Sequence, residues 1–292
     1  MSVLDEIIAG VREDLDARRA RTGLEAMIGA AHAAAPARDA YAALGGNTDQ
    51  SARDTTLRVI SEVKRRSPSK GALAEIPEPA TLAAEYAAGG ASVISVLTEQ
   101  RRFNGSLQDL DAVRQAVDIP VLRKDFTVDE YQIYEARAHG ADLVLLIVAA
   151  LDDATLRRFL ALTEQLGMHA LVETHTAEEI QRAVAAGAKI IGVNVRNLKT
   201  LDVDPATFAK LAPLLPREAV VIAESGVEST EQVAQYAAAG ADAILVGEAL
   251  VKHAAPRETV AEFIRAGTAA KPARGQDNWR NKLRKPPVSG HS

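Results

Sequence analysis

Cysteine is absent from the 292 residues, which excludes a disulfide framework, thiol catalysis and cysteine metal sites together. No apolar run approaches the roughly 18 residues that a bilayer demands. The longest, around Leu143 to Leu151, has the length of a strand, so no membrane span is expected. The N-terminus lacks the basic and then apolar regions of a secretory signal and opens instead with Asp5, Glu6, Arg12, Glu13 and Asp14. A cytoplasmic protein is the simplest reading. Also missing are a G-x-G-x-x-G after the first strand, a Walker loop and a G-x-S-x-G elbow. The six histidines show no H-E-x-x-H or similar ligand spacing, so no zinc site is expected.

What is present describes a globular chain. Hydrophobic residues make up 47% and charged residues 25%, enough for a sizeable buried core. The net charge is −5, but residues 271–292 carry six Lys/Arg against the single Asp277, which leaves the remaining body at −10. An acidic body argues against a nucleic-acid surface. After Ala266 the composition turns to Lys, Arg, Pro and Gly, which reads as a basic, disordered tail over 267–292.

Eight apolar or β-branched runs recur roughly every 20 to 35 residues, each followed by helical spacing, the mark of βαβ units. They are Leu57 to Val63, Ser92 to Leu97, Pro120 to Lys124, Asp142 to Val148, Met168 to Glu173, Lys189 to Val195, Ala219 to Glu224 and Ala241 to Val246. The phrase Gly90-Ala91-Ser92 recurs as Gly140-Ala141-Asp142, Gly187-Ala188-Lys189 and Gly240-Ala241-Asp242, each leading into an even-numbered strand. Four (βα)₂ repeats without a Pro/Ser-rich linker predict a (β/α)8 TIM barrel over 57–266 rather than two doubly wound domains. Residues 1–56, with an amphipathic helix from Val3 to Arg19 and an alanine-rich segment to Leu44, read as a helical extension packed over one end of the barrel. The Asn/Asp/Ser-rich stretch Gly45 to Thr56 reads as a mobile link.

In such barrels chemistry sits at the C-terminal ends of the strands. Period-two geometry puts Glu62 and Lys64 on one face with Ile60 at the end of the first strand. The third ends with Lys124, the fifth with Glu173, the sixth with Asn194 and Arg196, the seventh with Glu224. An uncompensated charge in a dry interior costs several kcal/mol, so opposite charges converging there must be paired, solvated or used on a substrate. Any one of them is readily a structural ion pair. Jointly they supply acids, bases and anion binders at one rim, while the strand starts at the other rim show no comparable set.

Phosphate candidates adjoin them. Ser67-Pro68-Ser69-Lys70-Gly71 offers hydroxyls, a lysine and flexible backbone, a weak signal alone. Ser225-Gly226 after the seventh strand and Gly247-Glu248 after the eighth are stronger, because barrels frequently bind phosphate there and at a short extra helix. A small phosphorylated substrate is therefore expected, with neither nucleic acid nor membrane as partner. His169 and His175 flank the fifth strand and read more readily as packing or surface residues than as participants.

The segments Ser61 to Gly71 (SEVKRRSPSKG), Phe103 to Ser106, Leu122 to Phe126 (LRKDF), Leu171 to Glu173, Ile191 to Leu198 and Ala223 to Gly226 resemble the indole-3-glycerol phosphate synthases of tryptophan biosynthesis, in order, over roughly residues 3–266. The resemblance implies a ring closure without metal or cofactor, by a monomer or weak homodimer. The substrate would be 1-(2-carboxyphenylamino)-1-deoxyribulose 5-phosphate, the products indole-3-glycerol phosphate, carbon dioxide and water. It implies Lys124 as general acid and Lys64 as the lysine that binds the substrate carboxylate and helps expel water. It makes Glu173 the carboxylate that orients or accepts protons, partnered by Glu62 and Asn194, with Glu224 positioning a lysine or a hydroxyl. Ser67, Arg196, Ser225, Gly226 and the Gly247 amide would bind substrate, chiefly its phosphate, and Phe103, Phe126, Leu198 and Leu245 would form an apolar slot. A lysine acid works best with its pKa lowered, which Lys64 and desolvation promote and the glutamates oppose. Glu248 departs from the small hydroxyl residue of some members. An acidic side chain beside phosphate repels it unless turned to solvent, so this position would bind through its backbone N–H. A phosphoribosylanthranilate isomerase or a silent sugar-phosphate-binding barrel are the alternatives, and a pure binder would need no proton donor at Lys124.

Overall fold

The computed structural model describes residues 2–46, 55–73, 75–197, 201–252 and 255–272. Three helices, α1 (Val3–Arg21), α2 (Leu24–Ala33) and α3 (Ala40–Ala43), precede strand β1 (Arg58–Val63), whose loop carries a two-rung hairpin, β2 (Arg66–Ser67) and β3 (Gly71–Ala72). Then follow α4 (Pro79–Ala88), β4 (Val93–Leu97), α5 (Leu107–Ala116), β5 (Val121–Lys124), α6 (Glu130–Ala138), β6 (Leu143–Ile147) and α7 (Asp153–Gln165). The chain continues through β7 (His169–Thr174), α8 (Ala177–Ala185), β8 (Ile190–Asn194), α9 (Ala206–Leu211), β9 (Val220–Glu224), α10 (Thr230–Ala238), β10 (Ala243–Val246), α11 (Glu248–Lys252) and α12 (Pro256–Ala270). Eight strands close into a parallel barrel in the order β1-β10-β9-β8-β7-β6-β5-β4. All eight sequence-predicted strands are in it. The phosphate candidate Ser67 to Gly71 forms the turn of the hairpin.

The repeated Gly-Ala pairs explain how each helix is turned into the next strand. Gly90, Gly140, Gly187 and Gly240 all have φ between 80° and 101°, in the left-handed region that a side chain disfavours. In each copy the glycine N–H donates to a carbonyl three residues back, and the alanine N–H to one five residues back. This Schellman arrangement satisfies the orphan carbonyls of the helix end. Each alanine is buried, which pins the chain as the strand begins. In two copies the next residue is aspartate, and Asp142 and Asp242 each accept a backbone N–H near the start of the preceding strand, from Val121 and Val221.

Alternation sorts the barrel side chains. Ile60, Val93, Leu122, Leu143, Leu145, Leu171, Ile190, Val220, Ile222 and Ala243 fill the interior, while Val59, Ile94, Val121, Val144, Val172, Ile191, Val221 and Ile244 face the helices. The N-terminal segment reaches both ends of this barrel, not one as expected. Val3, Leu4 and Ile7 of α1 sit at the C-terminal mouth. Leu15 and Met27 pack with Tyr131 on the barrel's flank. Arg38 then donates to the carbonyls of Val117 and Ile119 at the opposite end, where Ala40 and Leu44 close the interior cluster. That end also holds charges that sequence reading had not found there: buried Asp142 accepts the Arg38 N–H and pairs with Arg114 at 2.9 Å. Its four-sided satisfaction marks a structural pair.

At the C-terminal side, α12 runs four residues past Ala266. Gly267 is buried there against Leu57, which a Cβ would approach to 2.0 Å, and Thr268 Oγ1 accepts the Leu57 N–H. The basic tail from 273 and the link over 47–54 lie outside the described residues. No helix among the described residues is long and apolar enough to cross a membrane. Gly187 has a positive φ and open space around a would-be Cβ. Gly187→Ala is therefore expected to cost only the backbone term, about 1–2 kcal/mol of unfolding free energy. Chemical denaturation measures it.

Candidate active site

The inward-facing rows of the strands change from apolar to charged at the C-terminal mouth. Register sets Glu62 beside Ser95, Leu97 beside Lys124, Ile147 beside Glu173, and Asn194 beside Glu224. Burial holds Glu62, Glu173 and Glu224 almost wholly out of water, at 2%, 3% and 1% exposure. Three buried carboxylates in one place demand cations, and they have them. Lys64 Nζ lies 2.6 Å from Glu62 Oε1. Lys124 Nζ stands 3.6 Å from Glu62, 3.7 Å from Glu224 and 4.0 Å from Glu173. Lys124 is thus the common counter-ion of all three.

These contacts set the charge states. Burial alone would lower the Lys124 pKa, but Glu62, Glu224 and Glu173 outweigh it and raise it, so the ammonium is held in the charged form. The lowering that favours a lysine acid does not occur here, because the carboxylates outnumber Lys64 around it. Burial pushes Glu62 up, yet Lys64 and Lys124 bring it below the usual range. Glu173 and Glu224 part company. Burial raises both, but Glu173 is brought well down by His175, Lys124 and Asn194, whereas Glu224 rises further beside the Glu173 charge. Both Glu224 oxygens are buried without a conventional hydrogen-bond partner, as suits a neutral carboxyl.

Room for Glu224 comes from Gly192. It occupies the inward position next to Glu173, and a Cβ there would lie 1.9 Å from Glu224 Oε1. Sequence reading missed this residue. Its signal was a glycine inside a strand, which marks the close approach of another group. It also set aside His175, whose Nε2 lies 3.3 Å from Glu173 Oε1 and whose Nδ1 lies 3.1 Å from Glu179 Oε2. Its signal was the spacing Glu173-x-His175-x-x-x-Glu179, which sets a histidine two residues past one carboxylate and four before another.

Above the charged floor the mouth divides into two lobes that share Glu62, Lys64, Lys124, Asn194, Arg196 and Ser225. The apolar lobe is walled by Phe103, Phe126, Leu97, Leu145 and Ile147, with Val3, Leu4 and Ile7 of α1 as a roof. Phe103 and Phe126 are tilted rings with centroids 6.1 Å apart. Glu99 presents Phe103 by accepting the N–H groups of Arg101, Arg102 and Phe103. The polar lobe, about 540 Å³, is lined by Ser69, Lys70, Ser225, Gly226, Gly247 and Glu248. Leu245 falls in this lobe, not with the phenylalanines, and Ser67 lies on the apolar side. Leu198 lies outside the described residues.

Two details organise the polar lobe. Asn194 Oδ1 accepts both the Ser225 hydroxyl at 2.9 Å and the Arg196 N–H at 3.0 Å, which locks the turns after β8 and β9 together. Ser225 and Gly226 both have φ near 69°, so their turn is held in the left-handed region. Glu248 does not turn to solvent as expected. Its carboxylate is only 18% exposed and pairs with Lys70 of the hairpin at 2.5 Å, which neutralises it. In the Leu122 to Phe126 segment the alternation separates roles: Lys124 points in, while buried Arg123 points out to Glu135 at 2.9 Å and Asp125 at 3.1 Å. Arg18 of α1 joins the same Glu135 at 2.8 Å.

A family model for indole-3-glycerol phosphate synthase matches residues 4–263. A protein of that name from Micrococcus luteus is 72% identical over 265 residues, covering 90% of this chain and 97% of its own. Another from Arthrobacter sp. (strain FB24) is 68% identical over 274 residues, covering 94% of this chain and all of its own. Among solved structures, 3-hexulose-6-phosphate synthase from Salmonella typhimurium superposes with a TM-score of 0.61 at 16% identity, covering 73% of this chain and 100% of that one. That likeness concerns the fold alone.

Because Gly192 makes room for Glu224, Gly192→Ala is expected to expel the Glu224 carboxyl from its place and to cost about 1–3 kcal/mol by overpacking. A crystal structure of the variant and its denaturation curve check both.

Proposed function

The chain belongs to the indole-3-glycerol phosphate synthase family, and from that premise we propose how its own residues close the ring. The substrate, 1-(2-carboxyphenylamino)-1-deoxyribulose 5-phosphate, has an aromatic end with a carboxylate and an acyclic sugar end with a phosphate. The two lobes suit those two ends. The ring lies against Phe103 and Phe126 under Val3, Leu4 and Ile7, where burial of an aromatic face fixes its plane. The phosphate takes the polar lobe, against Ser69, Ser225 and the backbone of Gly226, Gly247 and Glu248, where Lys64, Lys70, Lys124 and Arg196 are lining cations.

In the first step the ring carbon that bears the carboxylate attacks the ketone. The carbonyl oxygen gathers negative charge and needs a proton. Lys124 is the donor. The observation that carries this assignment is its charged ammonium, centred among Glu62, Glu173 and Glu224 on the floor shared by both lobes. Lys64 binds the substrate carboxylate until carbon dioxide leaves, and its partner Glu62 keeps it aimed at the mouth. Carbon dioxide loss restores part of the aromatic system. The hydroxyl is then expelled as water, with Lys64 as the proton source and the ionised Glu173 accepting the proton released as the five-membered ring becomes aromatic. Asn194 orients Glu173, and Glu224, holding a proton, donates to a substrate hydroxyl or to Glu173. The enzyme acts on this small molecule in the cytoplasm as a monomer or weak homodimer.

Mixing chelator-treated protein with the substrate should produce indole fluorescence, and absence of product would overturn the assignment. Lys124→Ala is expected to lower turnover at least about a hundredfold with the fold unchanged, the scale of a lost general acid. Lys70→Ala leaves Glu248 unneutralised beside the phosphate, so KM should rise about tenfold, roughly 1.4 kcal/mol, with kcat nearly constant. Adding Glu248→Gln to that variant should restore most of the loss. Steady-state kinetics of the single and double variants decide it.

A further inference from the structure

His175 stands one residue beyond β7, outside the ring of groups that faces the substrate. It lines neither lobe of the mouth. Its side chain is only 10% exposed and lies between two carboxylates, Glu173 at 3.3 Å on the barrel side and Glu179 at 3.1 Å on the helix side. The local sequence builds this clamp. Thr176 caps α8 by accepting the Glu179 N–H, and the Glu179 carboxylate turns back to accept the His175 backbone N–H at 2.7 Å. The imidazole therefore has one edge fixed by the helix start and the other edge aimed at Glu173. Nδ1 is hydrogen-bonded to Glu179, while Nε2 faces Glu173 at ion-pair distance without hydrogen-bond geometry, and a buried ring set between two carboxylates is favoured as the imidazolium.

We propose that His175 is a positioning residue for the ring-closing reaction: it orients Glu173 from outside the cavity and decides which of the two facing carboxylates, Glu173 or Glu224, holds a proton. The inference rests on the function proposed above. Without a cation at position 175, Glu173 and Glu224 would share Lys124 on nearly equal terms, since the ammonium stands 4.0 Å from one and 3.7 Å from the other. His175 breaks that symmetry because it touches only Glu173. Other charged groups around it do not reproduce the effect. Lys124 of β5 serves both carboxylates, Asn194 of β8 adds a hydrogen bond to Glu173 but no charge, and Asp5 of α1, Arg196, Asp202 and Asp204 line the outer cavity that His175 and Glu179 share. Supporting charge states agree: burial would lower the imidazole pKa, but Glu173 and Glu179 push it up to about 10. Proton acceptance by Glu173 in the aromatising step then depends on a residue that never meets the substrate.

The sign of the pH effect follows. In the wild type Glu173 stays ionised far into acid, and the imidazolium persists until the pH rises through about 10. His175→Gln keeps a hydrogen-bonding side chain but removes the cation, so the Glu173 carboxyl should titrate higher. The acid limb of kcat/KM is expected to move up by about one pH unit or more, and kcat at neutral pH to fall about tenfold, with KM within about twofold. Glu179→Gln, which leaves the imidazole in place but weakens its charge, should move the limb the same way by less. Limbs that superpose on the wild type in these variants would overturn the proposal, as would a uniform loss of kcat at every pH. NMR of the histidine side chains of the wild-type protein gives a test without turnover: an imidazolium at position 175 through pH 8 is expected, and a neutral ring at pH 7 overturns it. Failure of the wild type to form product would instead overturn the proposed function, while the NMR result would still report on the clamp.

Discussion

Everything at the mouth of this barrel depends on one ammonium group held among three buried carboxylates. Glu62, Glu173 and Glu224 come from strands that are not neighbours in sequence, and each would repel the others in a dry interior. Among the described residues, Lys124 is the one cation that pairs with all three, within 4.0 Å of each. Lys64 takes a share of Glu62, His175 a share of Glu173, and Glu224 relieves the remainder by keeping its proton. With Glu179 on the far side of His175, three cations then face three carboxylates. Such an arrangement is both a structural solution and a set of reagents, because groups that share protons this closely are already poised to exchange them.

That electrostatic solution constrains the backbone around it. Gly192 cannot carry a side chain while Glu224 lies where it does, and Gly247 leaves space on the other flank, where a Cβ would come 3.0 Å from Glu62. The outward half of β5 is equally committed. Arg123 and Asp125 flank Lys124 in sequence but point into a separate buried network with Glu135 and Thr98. One strand thus carries two ion-pair systems on opposite faces, and the second holds the first in register.

Much of this is legible in sequence because it obeys short-range rules. Eight apolar runs announce eight strands, and the Gly-Ala pairs mark helix ends whose hydrogen bonds are local. Charges at strand ends stand out against an apolar period of two, so Glu62, Lys64, Lys124, Glu173, Asn194 and Glu224 could be listed as a set. What linear spacing does not carry is contact through space. The Lys70 to Glu248 pair joins residues 178 positions apart, and it reverses the expected orientation of Glu248. Gly192 matters only because Glu224 of another strand leans over it. The roof that α1 places on the aromatic lobe is likewise invisible from its own amphipathic pattern, which says which face is buried but not against what.

The path of residues 3–44 along the barrel has a consequence for synthesis of the chain. This segment touches the catalytic mouth through Ile7, the flank through Leu15 and Met27, and the opposite end through Arg38 and Tyr41, whose hydroxyl donates to the Glu218 carbonyl 177 residues later. At about 5–20 residues per second, roughly 10 to 35 seconds separate the emergence of Tyr41 from that of its last partner. Through that interval the apolar stripe of α1 has no barrel to lie on. The helix that ends as the roof of the aromatic lobe is therefore, on the ribosome, an exposed greasy face awaiting its partner. Residues such as Glu6, Glu13 and Asp14, which later bind Arg101 and Arg102, are the charges that keep it in solution until then.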